Sequence, residues 1–306
     1  MTKHFLTIDE YSAEELHAII AQACAIKAQR KEYATVLAGK NLGLIFEKPS
    51  TRTRISFQVG MEQLGGGSHY FAPHEMQLGE REEIRDIART ISRYLDAVVL
   101  RTFSHATIEE LARFATIPVI NGLSDYSHPC QAMADYLTIV EKFDNPKDAV
   151  IAYIGDGNNV LNSLMVLLAK LGVSLRVASP EGYQLPPVII QKATQYASAS
   201  GARIVVGLTP AEAVRDADVV YTDVFVSMGE ESKRKKKIQA FAGFQVNREL
   251  LAHATKDPYI MHCLPAHRGE EITDEVIESE RSIVFDQAEN RLHVQKGILH
   301  HLLASK

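Results

Sequence analysis

Short apolar segments that predict strands alternate with helical patterns along most of the chain. In the first half they are "NLGLIFE" (41 to 47), a segment centred on Ala97 to Leu100, and "IPVING" (117 to 122). From about residue 150 the alternation starts again and continues through "AVIAYI", "VSLRVAS", "ARIVVGL", "DVVYTDVF" and "YIMHCLP". Because parallel strands need crossover connections, usually helices, this alternation predicts an α/β fold with mainly parallel sheets.

The length of the chain and the restart of the pattern predict two domains. A chain of 306 residues exceeds the usual size of a single hydrophobic core. We expect two doubly wound domains, residues 1–140 and 141–289, joined by interdomain helices. The last amphipathic segment, about 290–306, is expected to form a helix that packs back on the first domain.

Composition limits the class of protein. No uninterrupted apolar run is long enough to span a bilayer, and the N-terminus lacks the apolar region of a secretory signal. Three widely spaced cysteines, Cys24, Cys130 and Cys263, fit a reducing compartment, so we expect a cytoplasmic protein. The net charge of −5 argues against a nucleic-acid-binding surface.

One basic run, "SKRKKK" (232 to 237), predicts a solvated face or a mobile loop, with contact to an anionic partner as the alternative.

Ligands of doubly wound folds bind outside the carboxyl ends of the strands, so the loops that follow strands carry the functional signals. "KPSTRTR" (48 to 54) follows the first strand. Ser50 or Thr51 can cap the next helix, whose N-terminus favours a phosphate or carboxylate, and Arg52 can bind such an anion in a bidentate way. Arg54 lies one turn into the helix and can be structural. Since the P-loop pattern is absent, we expect a small phosphorylated metabolite and not a nucleotide.

Other strand-end loops are ambiguous when taken singly. "GDGNN" matches only part of the dinucleotide fingerprint, because Val160 stands where a third glycine belongs. In "SHPCQ", His128 can polarise a carbonyl group, whereas Cys130 is either a nucleophile or a buried thiol. Asp223 ends a strand and can hold a ligand ammonium group. The spacings around Cys263 match no common zinc pattern, so we expect no metal.

Six segments in order, "FEKPSTRTR", "HPCQ", "GDGNN", "DVFVSMG", "HCLP" and "FDQAENR", resemble the carbamoyltransferases, most closely the ornithine carbamoyltransferases. The resemblance covers nearly the full chain. It implies a first domain for carbamoyl phosphate, a second for the amino acid, no cofactor, and a role in arginine metabolism, where biosynthesis and breakdown use the same residues. It also implies a homotrimer, or a multiple of one, with shared active sites.

The resemblance assigns roles to individual positions. Those that would bind carbamoyl phosphate are Ser50, Thr51, Arg52, Thr53, Gln77, Arg101, His128, Gln131, Cys263, Leu264 and Arg291. Of these, the resemblance implies a part in catalysis for Arg52, Arg101, His128, Gln131 and Cys263, and it places Gln77 in a loop that reaches a neighbouring subunit. Those that would bind ornithine are Asn159, Asp223, Ser227 and Met228.

Two departures from the family pattern and several rival functions stay open at this point. The lysine-rich run at 233–237 stands where the family has a mobile closing segment. Phe225 stands where the family commonly has Trp, which keeps an aromatic ring beside Asp223. Within the superfamily the rivals are aspartate, putrescine and acetylornithine carbamoyltransferases. Outside it they are an NAD-dependent dehydrogenase, which "GDGNN" would serve, and an RNA-binding module that uses "SKRKKK".

Overall fold

The protein is described by a computed structural model, which covers residues 2–76, 78, 79, 81–227, 229 and 231–304. The chain divides into two compact units. The first contains residues 1–137 and 289–306, and the second contains residues 138–288. Both units are α/β, and every strand pair within the two sheets described is parallel. The predicted fold class is therefore confirmed.

The described part of the first unit contains a four-stranded sheet in the order β2-β1-β3-β4. Its strands are β1 (Asn41–Phe46), β2 (Gly67–Phe71), β3 (Ala97–Arg101) and β4 (Val119–Leu123). The strand order reverses at β1 and β3, which pair from Leu42 with Ala97 to Phe46 with Arg101. Both strands are almost wholly buried, and Val98, Leu100 and Ile45 belong to the core of the unit.

Helices cover this sheet, and local signals explain where several of them begin. They are α1 (Ala13–Ala28), α2 (Thr51–Gln63), α3 (Pro73–Met76), α4 (Ile84–Ile91), α5 (His105–Phe114), α6 (Pro129–Lys142) and α13 (Val284–Leu303). Ser12 and Glu15 form the capping box that the sequence predicts at the start of α1. The division between the two units falls inside α6 and α13.

The second unit contains, among its described residues, a five-stranded sheet in the order β7-β6-β5-β8-β9. Its strands are β5 (Val150–Ile154), β6 (Ser174–Ala178), β7 (Ile204–Val205), β8 (Val219–Thr222) and β9 (Tyr259–His262). Here the order reverses between β5 and β8. Its remaining helices are α7 (Asn159–Leu171), α8 (Pro187–Ser200), α9 (Pro210–Val214), α10 (Arg234–Ala240), α11 (Arg248–Leu251) and α12 (Asp274–Ile277). Short 3-10 helices lie at Ile8–Glu10, Pro146–Asp148 and Glu231–Lys233.

Three features differ from the expectation. The strand β2 has no clear apolar pattern, because it lies at the edge of the sheet and its residues are partly exposed. The segment "ARIVVGL" forms a strand of only two residues, also at an edge. The basic run at 232–237 is helical, and residues 232–236 are exposed, as expected for a solvated face, whereas Lys237 is buried.

Across the described residues, no helix combines the length and the apolar character needed to cross a membrane.

Candidate active site

In the first unit, the candidate residues gather at the switch point of the sheet. The strand order reverses between β1 and β3. Ser50–Thr53 form the start of α2, which follows β1, and Arg101 is the last residue of β3. Such a point opens a crevice between neighbouring loops, which is where doubly wound folds bind ligands. The structure thus brings two of the predicted phosphate-binding segments to one edge of the same sheet.

The start of α2 has the geometry of an anion-binding helix terminus. Ser50 is the N-cap, and its hydroxyl accepts a hydrogen bond from the backbone N–H of Thr53 at 3.3 Å. Thr51 and Arg52 are the first two residues of the helix, where free N–H groups and the helix dipole favour a negative ligand. Arg54 instead packs over the ring of Tyr70, with its Cζ atom 4.8 Å from the ring centroid.

Three arginines of this unit act on one another electrostatically. Arg101 is only 6% exposed, and burial, followed by the charges of Arg291 and Arg52, lowers its pKa to about 10. The same surroundings act on His128, which is buried at the start of α6. Its pKa lies well below the usual value because of burial and then because of Arg291, Arg101 and Arg52, so the imidazole is neutral.

Arg291 lies on the last helix, α13, and connects the start of α2 to the start of α6. Its Nη1 donates to Gln131 Oε1 at 2.5 Å, and its Nη2 donates to Thr53 Oγ1 at 2.9 Å. Gln131 in turn donates from Nε2 to Asp135 Oδ1 at 2.7 Å. These bonds fix which way the Gln131 amide faces, with its oxygen toward Arg291. All four side chains are buried.

The turn that precedes α6 is held by Asn121 of β4. Its Nδ2 donates to the carbonyl groups of Leu6 (2.9 Å) and Ser127 (3.3 Å). Cys130 is the second residue of α6, and its thiol donates to the Asn121 carbonyl at 3.4 Å. Burial raises the pKa of the Cys130 thiol to about 12. Since the thiolate is the reactive form, Cys130 is a structural thiol and not the nucleophile.

Gathered arginines around a neutral imidazole form a site that favours an anion. Their mutual repulsion decreases when a negative group binds, and the guanidinium groups match the geometry of a phosphate. The neutral His128 can donate one hydrogen bond to a carbonyl oxygen without adding a further positive charge.

In the second unit, the candidate residues lie at the switch point between β5 and β8. Asp223 follows β8 and accepts three hydrogen bonds. They come from Asn158 Nδ2 to Oδ2 (2.7 Å), from Cys263 Sγ to Oδ1 (2.9 Å), and from the backbone N–H of Val224 to Oδ1 (2.8 Å). Asn158 also caps α7 by accepting from the N–H groups of Val160 and Leu161. The carboxylate of Asp223 is thus held in one orientation beside three loops.

The loop after β9 is fixed by a buried histidine. His262 Nδ1 accepts from the backbone N–H of Leu264 at 2.9 Å, so it carries no proton, and Nε2 faces Glu271 Oε1 at 3.0 Å as a donor. The two side chains are fully buried. Leu264 has a φ of 56°, in the left-handed region, which this hydrogen bond helps to hold.

Two groups of side chains could hold a metal ion by their composition. The ligand atoms of Asp223, His262 and Cys263 lie within 4.8 Å of one another, as do those of His267, Glu270 and Glu271. In the first group, however, both ring nitrogens of His262 take part in hydrogen bonds and the Cys263 thiol donates to Asp223. Protein hydrogen bonds therefore account for the arrangement of the first group.

The glycines of "GDGNN" have a structural reason unrelated to a dinucleotide. The N–H group of Gly157 donates to the carbonyl of Tyr183 at 2.7 Å. A Cβ atom at Gly157 would lie 2.5 Å from the carbonyl carbon of Gln184 and also against the backbone nitrogen of Leu185. The space that a pyrophosphate would need beside this glycine holds the protein's own backbone, which argues against the dehydrogenase alternative.

Comparison with known proteins identifies the family. Residues 3–141 match the family described as "Aspartate/ornithine carbamoyltransferase, carbamoyl-P binding domain", and residues 147–302 match "Aspartate/ornithine carbamoyltransferase, Asp/Orn binding domain". The chain belongs to the aspartate/ornithine carbamoyltransferase family. It is therefore a carbamoyltransferase.

Relatives support this placement over the full length of the carbamoyltransferase. It is 52% identical over 307 residues to "Ornithine carbamoyltransferase" of Methanoculleus marisnigri, a match that covers 99% of this chain and 98% of the relative. The solved structure of ornithine carbamoyltransferase from Pyrococcus furiosus has a TM-score of 0.96 at 49% identity, covering 99% of this chain and 98% of that one. For the "anabolic ornithine carbamoyltransferase" of Campylobacter jejuni the TM-score is 0.93 at 39% identity, covering 98% and 99%.

Further predicted positions of this carbamoyltransferase lie in the second unit. Asn159 is the first residue of α7 and Ser227 follows β8, and both are partly buried. Cys263 and Leu264 belong to the second unit, together with Asp223. Gln77 and Met228 lie outside the described residues. The roles of all these positions are taken up below as proposals.

Two residues that contact the predicted site were missed by sequence reasoning. Asp135 lies four residues after Gln131 on α6, a spacing that places two side chains on the same helix face, and this was the available signal. Asn158 was considered together with Asn159, and the structure shows that Asn158 is the residue bonded to Asp223. Its place before α7 as an N-cap was the signal that distinguishes it.

Proposed function

We propose that this carbamoyltransferase transfers the carbamoyl group of carbamoyl phosphate to the side-chain amine of L-ornithine, giving L-citrulline and phosphate. The observation that carries the proposal is that the charges of Arg52, Arg101 and Arg291 all act on the buried, neutral His128 within the first unit. Such a group of cations is suited to a phosphoryl group with an adjacent carbonyl. The matching relatives bear the name ornithine carbamoyltransferase, which supports the choice of the second substrate.

Carbamoyl phosphate is proposed to bind in the first unit. Ser50, Thr51, Arg52 and Thr53 at the start of α2 hold the phosphate, joined by Arg101. His128 and Gln131 address the carbamoyl group, with Gln131 Oε1 able to accept a hydrogen bond from its NH₂ group. Arg291 supports this arrangement because it holds both Gln131 and Thr53. Gln77 is assigned to the same substrate from a neighbouring subunit.

Ornithine is proposed to bind in the second unit. Asp223 accepts the α-ammonium group, while Asn159, Ser227 and Met228 fix the rest of the amino-acid head. A carboxylate that is already oriented by Asn158 and Cys263 suits a cationic group better than the extra carboxylate of aspartate. Cys263 and Leu264 are assigned to the reacting amine and the carbamoyl group.

The chemistry follows from these assignments. The neutral amine nitrogen attacks the carbamoyl carbon, a C–N bond forms, and the carbonyl oxygen takes up negative charge. The electron pair on this oxygen then re-forms the carbonyl double bond as the bond between the carbon and the phosphate oxygen breaks, and phosphate leaves. The nitrogen loses one proton, which the departing phosphate can accept. Guanidinium groups and a neutral histidine aimed at both oxygens lower the barrier because they bind the charge that develops in the transition state.

The proposal is tested by an end-point assay with carbamoyl phosphate and a panel of amines, namely ornithine, aspartate, putrescine and acetylornithine. We expect citrulline from ornithine and no carbamoylated product at a comparable rate from the other three. If aspartate or putrescine is preferred over ornithine, the proposed second substrate is wrong. If no amine is carbamoylated, the proposed activity is wrong.

Three further features are proposed. The trimer with shared active sites rests on the family resemblance, and light scattering after size-exclusion chromatography would measure it. A biosynthetic direction rests on the relative from Campylobacter jejuni that is named anabolic. A cytoplasmic location rests on the three widely spaced cysteines, which fit a reducing compartment.

A further inference from the structure

The basic run at residues 232–237 contains one lysine that differs from its neighbours. Lys233, Lys235 and Lys236 are exposed, whereas Lys237 is only 3% exposed. All four lie in consecutive helical turns that end in α10. A lysine is seldom buried unless it is paired, so this position requires a specific partner.

That partner is Asp156 of "GDGNN". Lys237 Nζ lies 2.6 Å from Asp156 Oδ2, and the side chains are 4% and 10% exposed. The ammonium group also lies 5.6 Å from the ring centroid of Tyr183, a cation–π distance. Removing either member of such a buried ion pair is strongly unfavourable, because the remaining charge would stay in a low-dielectric site without its partner.

Asp156 belongs to the loop that orients the proposed ornithine-binding carboxylate. It stands two residues before Asn158, whose amide donates to Asp223. Between them, Gly157 donates from its backbone to Tyr183. Lys237 therefore contacts this loop through the Asp156 carboxylate and the neighbouring segment through the Tyr183 ring.

The helix α10 is attached to the same region a second time. Phe241, which caps the C-terminal end of α10, stacks on Phe225 with ring centroids 4.4 Å apart and also meets Tyr183 at 5.2 Å. Phe225 follows Asp223 by two residues. Phe225 thus attaches the end of α10 close to Asp223, and Lys237 attaches α10 to the loop between β5 and α7.

We propose that Lys237 is a positioning residue for the amino-acid substrate. Through Asp156 it holds α10 against the loop between β5 and α7, and it thereby sets the separation between Asp223, Asn158 and Ser227. Lys237 itself contacts no substrate. The choice of ornithine as the probe rests on the proposed function, whereas the attachment of α10 does not.

The chain offers a closely matched control for the test. Lys237→Met and Lys236→Met remove the same charge from adjacent positions of one helix, but only the first removes a buried contact. We expect Lys237→Met to raise KM for ornithine by about tenfold or more, because a small displacement of binding groups is costly. KM for carbamoyl phosphate should change by less than about twofold. Lys236→Met should match the wild type in both, and Lys237→Arg should recover part of the ornithine affinity.

A double-mutant cycle tests whether the effect runs through Asp156. We expect Asp156→Asn to raise KM for ornithine as Lys237→Met does, and the double variant to be no worse than the poorer single variant. If the two effects simply multiply, Lys237 does not act through Asp156 and the proposal is overturned. Equal increases of KM for both substrates would indicate general destabilisation and would also overturn it.

Hydrogen exchange without substrate separates this proposal from the proposed function. In Lys237→Met, and not in Lys236→Met, amides of α10 and of the loop between β5 and α7 should exchange faster. Equal exchange in the two variants contradicts the attachment, whether or not ornithine is the substrate. If wild-type protein makes no citrulline, the proposed function fails while the exchange result still decides the attachment. If Lys237→Met does not fold, Lys237→Arg and Asp156→Asn carry the comparison in its place.

Discussion

At the scale of single residues, Arg101 shows how function and stability oppose each other. Its guanidinium group is buried and feels two other positive charges, which is why its pKa falls to about 10. A charge in such surroundings is unfavourable in the free protein and becomes favourable when an anion binds. Binding sites are often places where a protein keeps such unfavourable groups.

Replacing Arg101 by Met should therefore separate the two properties. We expect kcat/KM to fall by about a hundredfold or more, since one group that binds the developing charge is lost. The free energy of unfolding should stay equal or rise, because the repulsion from Arg291 and Arg52 is removed. Urea denaturation and steady-state kinetics measure the two effects.

Arg54→Met is the matched control. Arg54 lies two residues from Arg52 but packs on Tyr70, so its loss should lower stability by about 0.5–1 kcal/mol and leave kcat/KM close to the wild-type value. Wild-type activity in Arg101→Met would remove this arginine from the proposed site.

Gln131 illustrates how a neighbour selects the orientation of an amide. Its Nε2 donates to Asp135 while its Oε1 accepts from Arg291. Gln131→Glu should reduce kcat/KM strongly, because two carboxylates would then meet at residues 131 and 135. Adding Asp135→Asn places an amide donor opposite the new carboxylate. The double variant should regain about tenfold in kcat/KM, or about 1.4 kcal/mol of transition-state stabilisation.

Kinetics of the two single variants and the double variant provide the check. Asp135→Asn alone should have a mild effect, since the Asn oxygen can still accept from Gln131. If the double variant is no better than Gln131→Glu, Asp135 does not orient the amide.

At the scale of elements, the loop between β5 and α7 depends on a close approach of two backbone segments. Gly157 passes against residues 183–185, where a Cβ atom would lie 2.5 Å from the Gln184 carbonyl carbon and 2.7 Å from the Tyr183 oxygen. Gly157→Ala should lower the free energy of unfolding by about 2 kcal/mol or more, because backbone atoms must move.

Gly182→Ala is a suitable comparison from the neighbouring turn. Gly182 has a φ of +80°, but no atom lies within 4 Å of the place that a Cβ would occupy. Its substitution should therefore lower the free energy of unfolding by only about 1 kcal/mol, the cost of holding alanine in the left-handed conformation. Denaturant midpoints of the two variants measure the difference. Equal midpoints would contradict the importance of the close approach.

At the scale of the whole molecule, each unit places its candidate residues at the switch point of its own sheet. The two sheets have different strand orders. In each sheet the order reverses between two neighbouring strands, and polar candidate residues lie at the carboxyl ends of those strands. The shared architecture explains why one chain can present two separate sets of ligand-binding loops.

Phosphate, as the proposed product, should stabilise the whole molecule through the first unit. At a concentration of about 100 times its Kd, phosphate should raise the free energy of unfolding by about 2.7 kcal/mol, since only the folded state binds it. Thermal unfolding with and without phosphate measures this shift. Arg52→Ala should abolish it, and an undiminished shift in that variant would place the phosphate elsewhere.

The amino-acid sequence by itself determined the features that depend on neighbouring residues. Alternating apolar patterns predicted the α/β class, and the ends of the predicted strands drew attention to Ser50, His128 and Asp223, because such signals act within a few residues. The edge strand β2 escaped prediction, since a partly exposed strand has a weak apolar pattern.

Only the tertiary structure decided which of these loops act together. Arg291 reaches Gln131 and Thr53 across 160 and 238 residues of sequence, and Lys237 reaches Asp156 across 81. Such contacts leave no pattern in the neighbouring sequence, because the local structure around each residue forms equally well with or without the distant partner. For the same reason the sequence predicted the solvated face of the basic run but not that Lys237 is a buried part of the second unit.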